Sequence, residues 1–179
     1  MGGPEERAVA TSKEGKGTQS YEGPPTTGEG NVLVALHRLR DKLNGIEGSQ
    51  WQEFLRRPDE HITIDGTLRS LDGSSEIKCQ VTRVERDTLR ERRTTGRATS
   101  HHDDDVLAEN IVAVFELKLP SADPDMFLLL DANIATAYTD ERVVETVRRI
   151  MGERGYGGEW EQVWLIGQTL PMTTRIDTP

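Results

Sequence analysis

A chain of 179 residues and 20.0 kDa is long enough for one domain with a sizeable core. Its net charge of -9 argues against a generic nucleic-acid coat protein, although carboxylates gathered at a metal site count towards such a total. Hydrophobic content of 34% is low, no apolar run approaches the roughly 18 residues of a membrane span, and no apolar leader marks the first residues, so membrane insertion and secretion are not expected.

Residues 1–29 are rich in Gly, Pro, Glu, Ser and Thr, with Tyr21 the only aromatic. Such a stretch buries too little surface to offset its ordering entropy, and a disordered tail is expected, followed by one domain over 30–179. Asn31 reads as the N-cap of a helix to about Leu43, with Val32, Leu36, Leu39 and Leu43 at helical spacing and Asn44-Gly45 as its stop. Gln50 to Arg57 reads as a short second helix, with Trp51, Phe54 and Leu55 apolar and Pro58 closing it.

A β-hairpin follows. Ile62, Ile64 and Leu68 alternate with Thr63, Asp65 and Thr67; after Ser70, Asp72, Gly73 and Ser74, the apolar Ile77, Cys79 and Val81 alternate with Glu76, Lys78, Gln80 and Thr82. Parity puts Asp65, Glu76, Lys78 and Gln80 on one face, the wet one. Cys79, the single cysteine, falls on the apolar face, which fits core filling and a reducing cytoplasm. With a tight two-residue turn at Asp72-Gly73, Asp65 pairs with Gln80, and Glu76 lies about 13 Å away along the strand. Only a wider or bulged turn that sets Asp65 opposite Lys78 brings Glu76 to a diagonal neighbour at about 7–8 Å.

Arg83, Arg86, Arg90, Arg92, Arg93 and Arg97 crowd the next stretch, where phosphate contact is expected to be local, with Arg83 and Arg86 as the substrate-binding candidates. His101, His102 and Asp103 to Asp105 are adjacent rather than spaced for one ion, so they are read as the start of a helix over Val106 to Leu117. Met126 to Leu130 is a continuous apolar run ending in Asp131, which suits a central strand buried on both faces. Thr139-Asp140-Glu141 opens a further helix stopped at Arg154-Gly155. Trp160 to Gly167 reads as the last main strand, with Met172 to Ile176 a short edge strand. Strand–helix alternation in this half implies parallel neighbours, and the hairpin makes the sheet mixed.

Asp65, ten intervening residues, and then Glu76-Ile77-Lys78 resembles the core motif of the PD-(D/E)xK, or restriction-endonuclease-like, nuclease superfamily, with Ile64 where that family often has proline. The order of elements over residues 30 to 168 is similar to the family's α-β-β-β-α-β core, although no separate strand is legible before the Asp65 strand. The resemblance implies a single three-layer α/β domain, a central mixed sheet flanked by helices. It also implies an enzyme hydrolysing phosphodiester bonds in DNA, and a possible homodimer. Asp65 and Glu76 would bind Mg²⁺ or Mn²⁺, Lys78 would act beside them on the attacking water and the phosphorane charge, and Gln80 would orient substrate.

Two alternatives stand beside this. Glu76, Lys78 and Gln80 are equally the solvated side of an ordinary strand making cross-strand pairs. The chain would then be a nuclease-like fold without catalysis, binding a protein or a nucleic acid. Asp131, at a strand carboxyl end, is a secondary candidate, and its plainer reading is a turn residue. No phosphate-binding G-x-x-x-x-G-K-[ST], no G-x-G-x-x-G and no G-x-S-x-G occurs.

Overall fold

The computed structural model describes residues 9–10, 19–20, 27–47, 50–55, 63–84, 103–133 and 136–177. They form an α/β protein with three helices and a mixed six-stranded sheet, and they fall into two compact units, 1–78 and 79–179, whose boundary lies inside one strand.

In the first unit, β1 (Val9–Ala10) and β2 (Gln19–Ser20) make a two-residue antiparallel pair. The remainder of the expected tail up to residue 26 lies outside the described residues. Helix α1 spans Thr27–Glu47, longer at both ends than the apolar spacing predicts. It starts within the stretch read as tail. It also runs past Asn44-Gly45, because Gly45 takes no positive φ and Asn44 is used otherwise, its Oδ1 accepting the Trp51 N–H at 2.8 Å.

The segment read as a second helix is instead strand β3, Trp51–Leu55. It pairs antiparallel with β4, Gly66–Ser70, with Glu53 opposite Leu68 and Leu55 opposite Gly66. The strand missing from the sequence reading is therefore present. Ala35, Leu36, Leu39 and Leu43 form the buried stripe of α1, which packs on β3 and β4. Gly66 admits this close approach: a Cβ there would stand 2.5 Å from Leu36 Cδ1 and 2.7 Å from the Phe54 carbonyl oxygen.

Strand β5 spans Glu76–Arg83, and the sheet runs in the order β3-β4-β5-β6-β7-β8. In the second unit, α2 (Asp104–Glu116) buries Leu107, Ile111, Val112 and Phe115, with Asp104 and Asp105 complementing the positive end of its dipole. Strand β6 (Met126–Asp131) is buried at every position, as its apolar run requires, and pairs in parallel with β7 (Gln162–Ile166). Helix α3 (Glu141–Glu153) is capped by Asp140, whose carboxylate accepts the Arg142 N–H at 3.0 Å. It ends in a Schellman arrangement: Gly155 adopts φ 72°, its N–H donates to Gly152 O, and the Tyr156 N–H donates to Met151 O. Arg154 then binds Glu109 and Glu116 of α2, and α2 and α3 pack together. The expected edge strand is β8, Thr174–Arg175, antiparallel to β7.

Candidate functional site

The geometry of the Asp65–Glu76–Lys78 strip is fixed by the turn between β4 and β5. The Ser70 N–H donates to the Ser75 carbonyl at 3.0 Å, and Arg69 Nε donates to Glu76 Oε2 at 2.5 Å, so Arg69 and Glu76 stand opposite one another. Gly73 supplies φ 72° and bonds its N–H to Ser70 O. Asp72 accepts from the Ser74 N–H and hydroxyl. The Ser70 hydroxyl, with those Ser74 donors, holds the Asp72 carboxyl down at about 2. The turn is thus wider than two residues, but it opens evenly on both sides and leaves the pairing unshifted.

That register separates the carboxylates. Asp65 directly precedes β4, four residues back from Arg69, so at about 3.3 Å per residue its backbone lies on the order of 13 Å from that of Glu76. The register with Asp65 opposite Lys78 is not the one adopted. Glu76 is committed to Arg69, whose guanidinium carbon also sits 5.1 Å from the Phe54 ring centroid. Lys78 is exposed. Two ligands of one Mg²⁺ must each come within about 2.1 Å of the ion. Asp65 and Glu76, at the two ends of the hairpin, do not fit that requirement. Among the described residues, no group of three or more His, Cys, Asp or Glu side chains is arranged to hold a metal.

A different charged cluster lies under α1. Arg40 Nη1 reaches both oxygens of Glu53 at 2.7 Å, Arg40 also bonds Asp41, and His37 Nε2 lies against Glu53 Oε1. Burial alone would raise the Glu53 carboxyl, but the hydrogen bond and charge of His37 and the charge of Arg40 outweigh it and hold the group below the usual carboxylate range. Both Glu53 oxygens are already bound by the Arg40 guanidinium of the same unit, which is the chemistry of a structural pair rather than of a ligand site.

The remaining candidates belong to the second unit. Gln80 is buried, and its Oε1 lies 3.2 Å from the Ser121 hydroxyl. Arg83 ends β5 and Asp131 ends β6. The Val84 N–H donates to Asp131 O at 3.0 Å and the Ala132 N–H to Ile166 O at 2.9 Å, so β5, β6 and β7 finish level at one carboxyl edge. Asp131 is 3% exposed; its Oδ1 accepts the Asn133 N–H, and its Oδ2 lies 3.8 Å from Arg83 Nε. Burial pushes the Asp131 carboxyl up, against the opposing pull of the Asn133 N–H and the Arg83 charge. Arg86 and the arginines after it lie outside the described residues, as do His101 and His102.

Sequence reasoning named Asp131 and Arg83 separately but not as a pair, since 47 intervening residues carry no signal of contact. Arg69, the residue that engages Glu76, was not singled out either; the cross-strand parity that grouped the strip also contains it. Compared with known proteins, the chain matches no family model, and no curated protein or solved structure is significantly similar to it.

Proposed function

We propose that this chain is a DNA-binding module on the restriction-endonuclease-like three-layer plan that does not hydrolyse phosphodiesters at the Asp65–Glu76–Lys78 strip. One observation carries the reading: Glu76 is bonded to Arg69 at the turn end of the hairpin, on the order of 13 Å from Asp65. Glu76 is then a strand-surface residue, and the motif's lysine an exposed cation. The nucleic-acid partner rests on the density of positive charge, six arginines between Arg83 and Arg97 in an otherwise acidic chain.

A second reading is the Mg²⁺-dependent nuclease itself. It is favoured by the order α1-β3-β4-β5-α2-β6, which agrees with the α-β-β-β-α-β core of the superfamily once β3 is counted.

Anisotropy of a short fluorescent DNA duplex, in EDTA and in Mg²⁺, separates the two. Binding that weakens with salt and ignores EDTA, with intact DNA on a gel, is expected. Calorimetric Mg²⁺ titrations of wild type and Glu76→Ala should coincide. Cleavage in Mg²⁺ that is lost in Glu76→Ala and Lys78→Ala would overturn the binding reading in favour of the nuclease. Failure of the wild type to bind duplex or single strands at low salt would remove the nucleic-acid partner.

A further inference from the structure

We propose that Arg83 and Asp131 together form a phosphate-contact site at the carboxyl edge of β5–β7, in which Arg83 touches a phosphodiester oxygen and Asp131 is the positioning residue. The proposal rests on the nucleic-acid reading and names the point of contact.

The place is set by the backbone. Three strand ends are brought level by the Val84–Asp131 and Ala132–Ile166 hydrogen bonds, and in α/β sheets ligands bind at such carboxyl edges, where the loops part. The Asn133 N–H holds the Asp131 carboxylate in one orientation, with Oδ2 turned to Arg83.

Two arginine–carboxylate pairs in this chain can be compared. Arg40 closes on Glu53 with both contacts at 2.7 Å, a saturated arrangement. Arg83 stands off from Asp131 at 3.8 Å, beyond hydrogen-bond length, and its Nε is buried without any hydrogen-bond partner. At that distance the attraction is Coulombic, and it leaves the Nε donor unused. The Arg83 side chain is nevertheless 28% exposed, so that exposure is carried by atoms other than the inaccessible Nε. The planar fork of terminal nitrogens is the part of arginine that matches two phosphate oxygens.

The test is DNA affinity against KCl concentration for wild type, Arg83→Ala, Asp131→Ala, Asp131→Asn and the double alanine variant, each checked for folding by circular dichroism. Loss of one phosphate contact lowers the slope of log K against log salt by about 0.9. That drop is expected in Arg83→Ala and again in Asp131→Ala, with no further drop in the double variant. Should Asp131→Ala fail to fold, Asp131→Asn and Arg83→Ala carry the same comparison. An unchanged slope in Arg83→Ala, or an Asp131 variant that binds DNA more tightly at unchanged slope, would overturn the proposal. A wild type without salt-dependent DNA binding would instead sink the nucleic-acid reading beneath it.

Discussion

Arg69 Nε meets Glu76 Oε2 at 2.5 Å across the β4–β5 turn, with the same guanidinium over the Phe54 ring. Both side chains are more than a third exposed, so water and salt screen the pair. A double-mutant cycle of Arg69→Ala and Glu76→Ala in urea is expected to give a coupling of about 0.2–1 kcal/mol that shrinks at high salt. A coupling well above this, or one that appears only with Mg²⁺ present, would show that Glu76 has a role the ion pair does not describe.

Glu53 behaves differently because it is buried. Glu53→Ala removes a buried acceptor from Arg40 and His37, while Arg40, 28% exposed, keeps Asp41, so a cost of about 1.5–3 kcal/mol in urea unfolding is expected, larger than the Glu76→Ala effect. Replacing Arg40 and Glu53 together by Met and Leu should recover most of that loss, since well-packed apolar groups often substitute for a buried pair without net cost.

The same glutamate explains why β3 was not legible in the sequence. Trp51, Phe54 and Leu55 stand at i, i+3 and i+4, which is helical spacing, while the one buried residue of the strand is Glu53. Hydropathy therefore pointed at the wrong period, because the inward position is a charge matched by Arg40, from a distant part of the chain. Strand β6 was legible for the opposite reason: MFLLL needs no partner to be read as buried on both faces. In the hairpin, parity placed Asp65, Glu76 and Lys78 on one face, but register decides whether they converge. Register depended on the hydrogen bonds of Ser70, Asp72 and Gly73, which composition alone does not specify. Helix α1 begins in Thr27-Gly28-Glu29-Gly30, where Thr27 and the two glycines have poor helix propensity, so hydropathy and propensity alone did not extend the helix there.

Glu53 and Asp131 should also pull stability in opposite directions with pH. The folded-state value of Glu53 lies below 4.5, so its contribution is present above that pH and is lost as pH falls through the lowered value. Asp131 is raised above 3.8 by burial, so the folded chain holds its proton more tightly than the unfolded one. Its ionisation therefore costs stability above the raised value, and the cost is relieved as pH falls towards 3.8. In urea midpoints taken from about pH 3 to about pH 7, Glu53→Gln should flatten the acid loss, and Asp131→Asn should remove an opposing gain. If Asp131→Asn steepened the acid loss less than Glu53→Gln flattened it, the order of the two effects would still stand. Parallel changes of one sign in both variants would refute the assignment.

Three glycines separate close approach from conformational freedom, since none of them adopts a positive φ. Gly30 lies within α1 with open space around it, and Gly30→Ala should stabilise by about 0.5–1 kcal/mol through reduced backbone entropy in the unfolded chain. Gly66→Ala would drive a methyl against Leu36 and the Phe54 carbonyl, and a loss of about 1–3 kcal/mol is expected. At Gly167 the obstacle includes the backbone of Met172, which cannot rotate aside as the end of Leu36 can. Gly167→Ala is therefore expected to cost at least as much as Gly66→Ala, with Gly30→Ala moving the urea midpoint the other way. Should Gly66→Ala prove neutral, α1 is held less closely on β4 than the Leu36 contact requires.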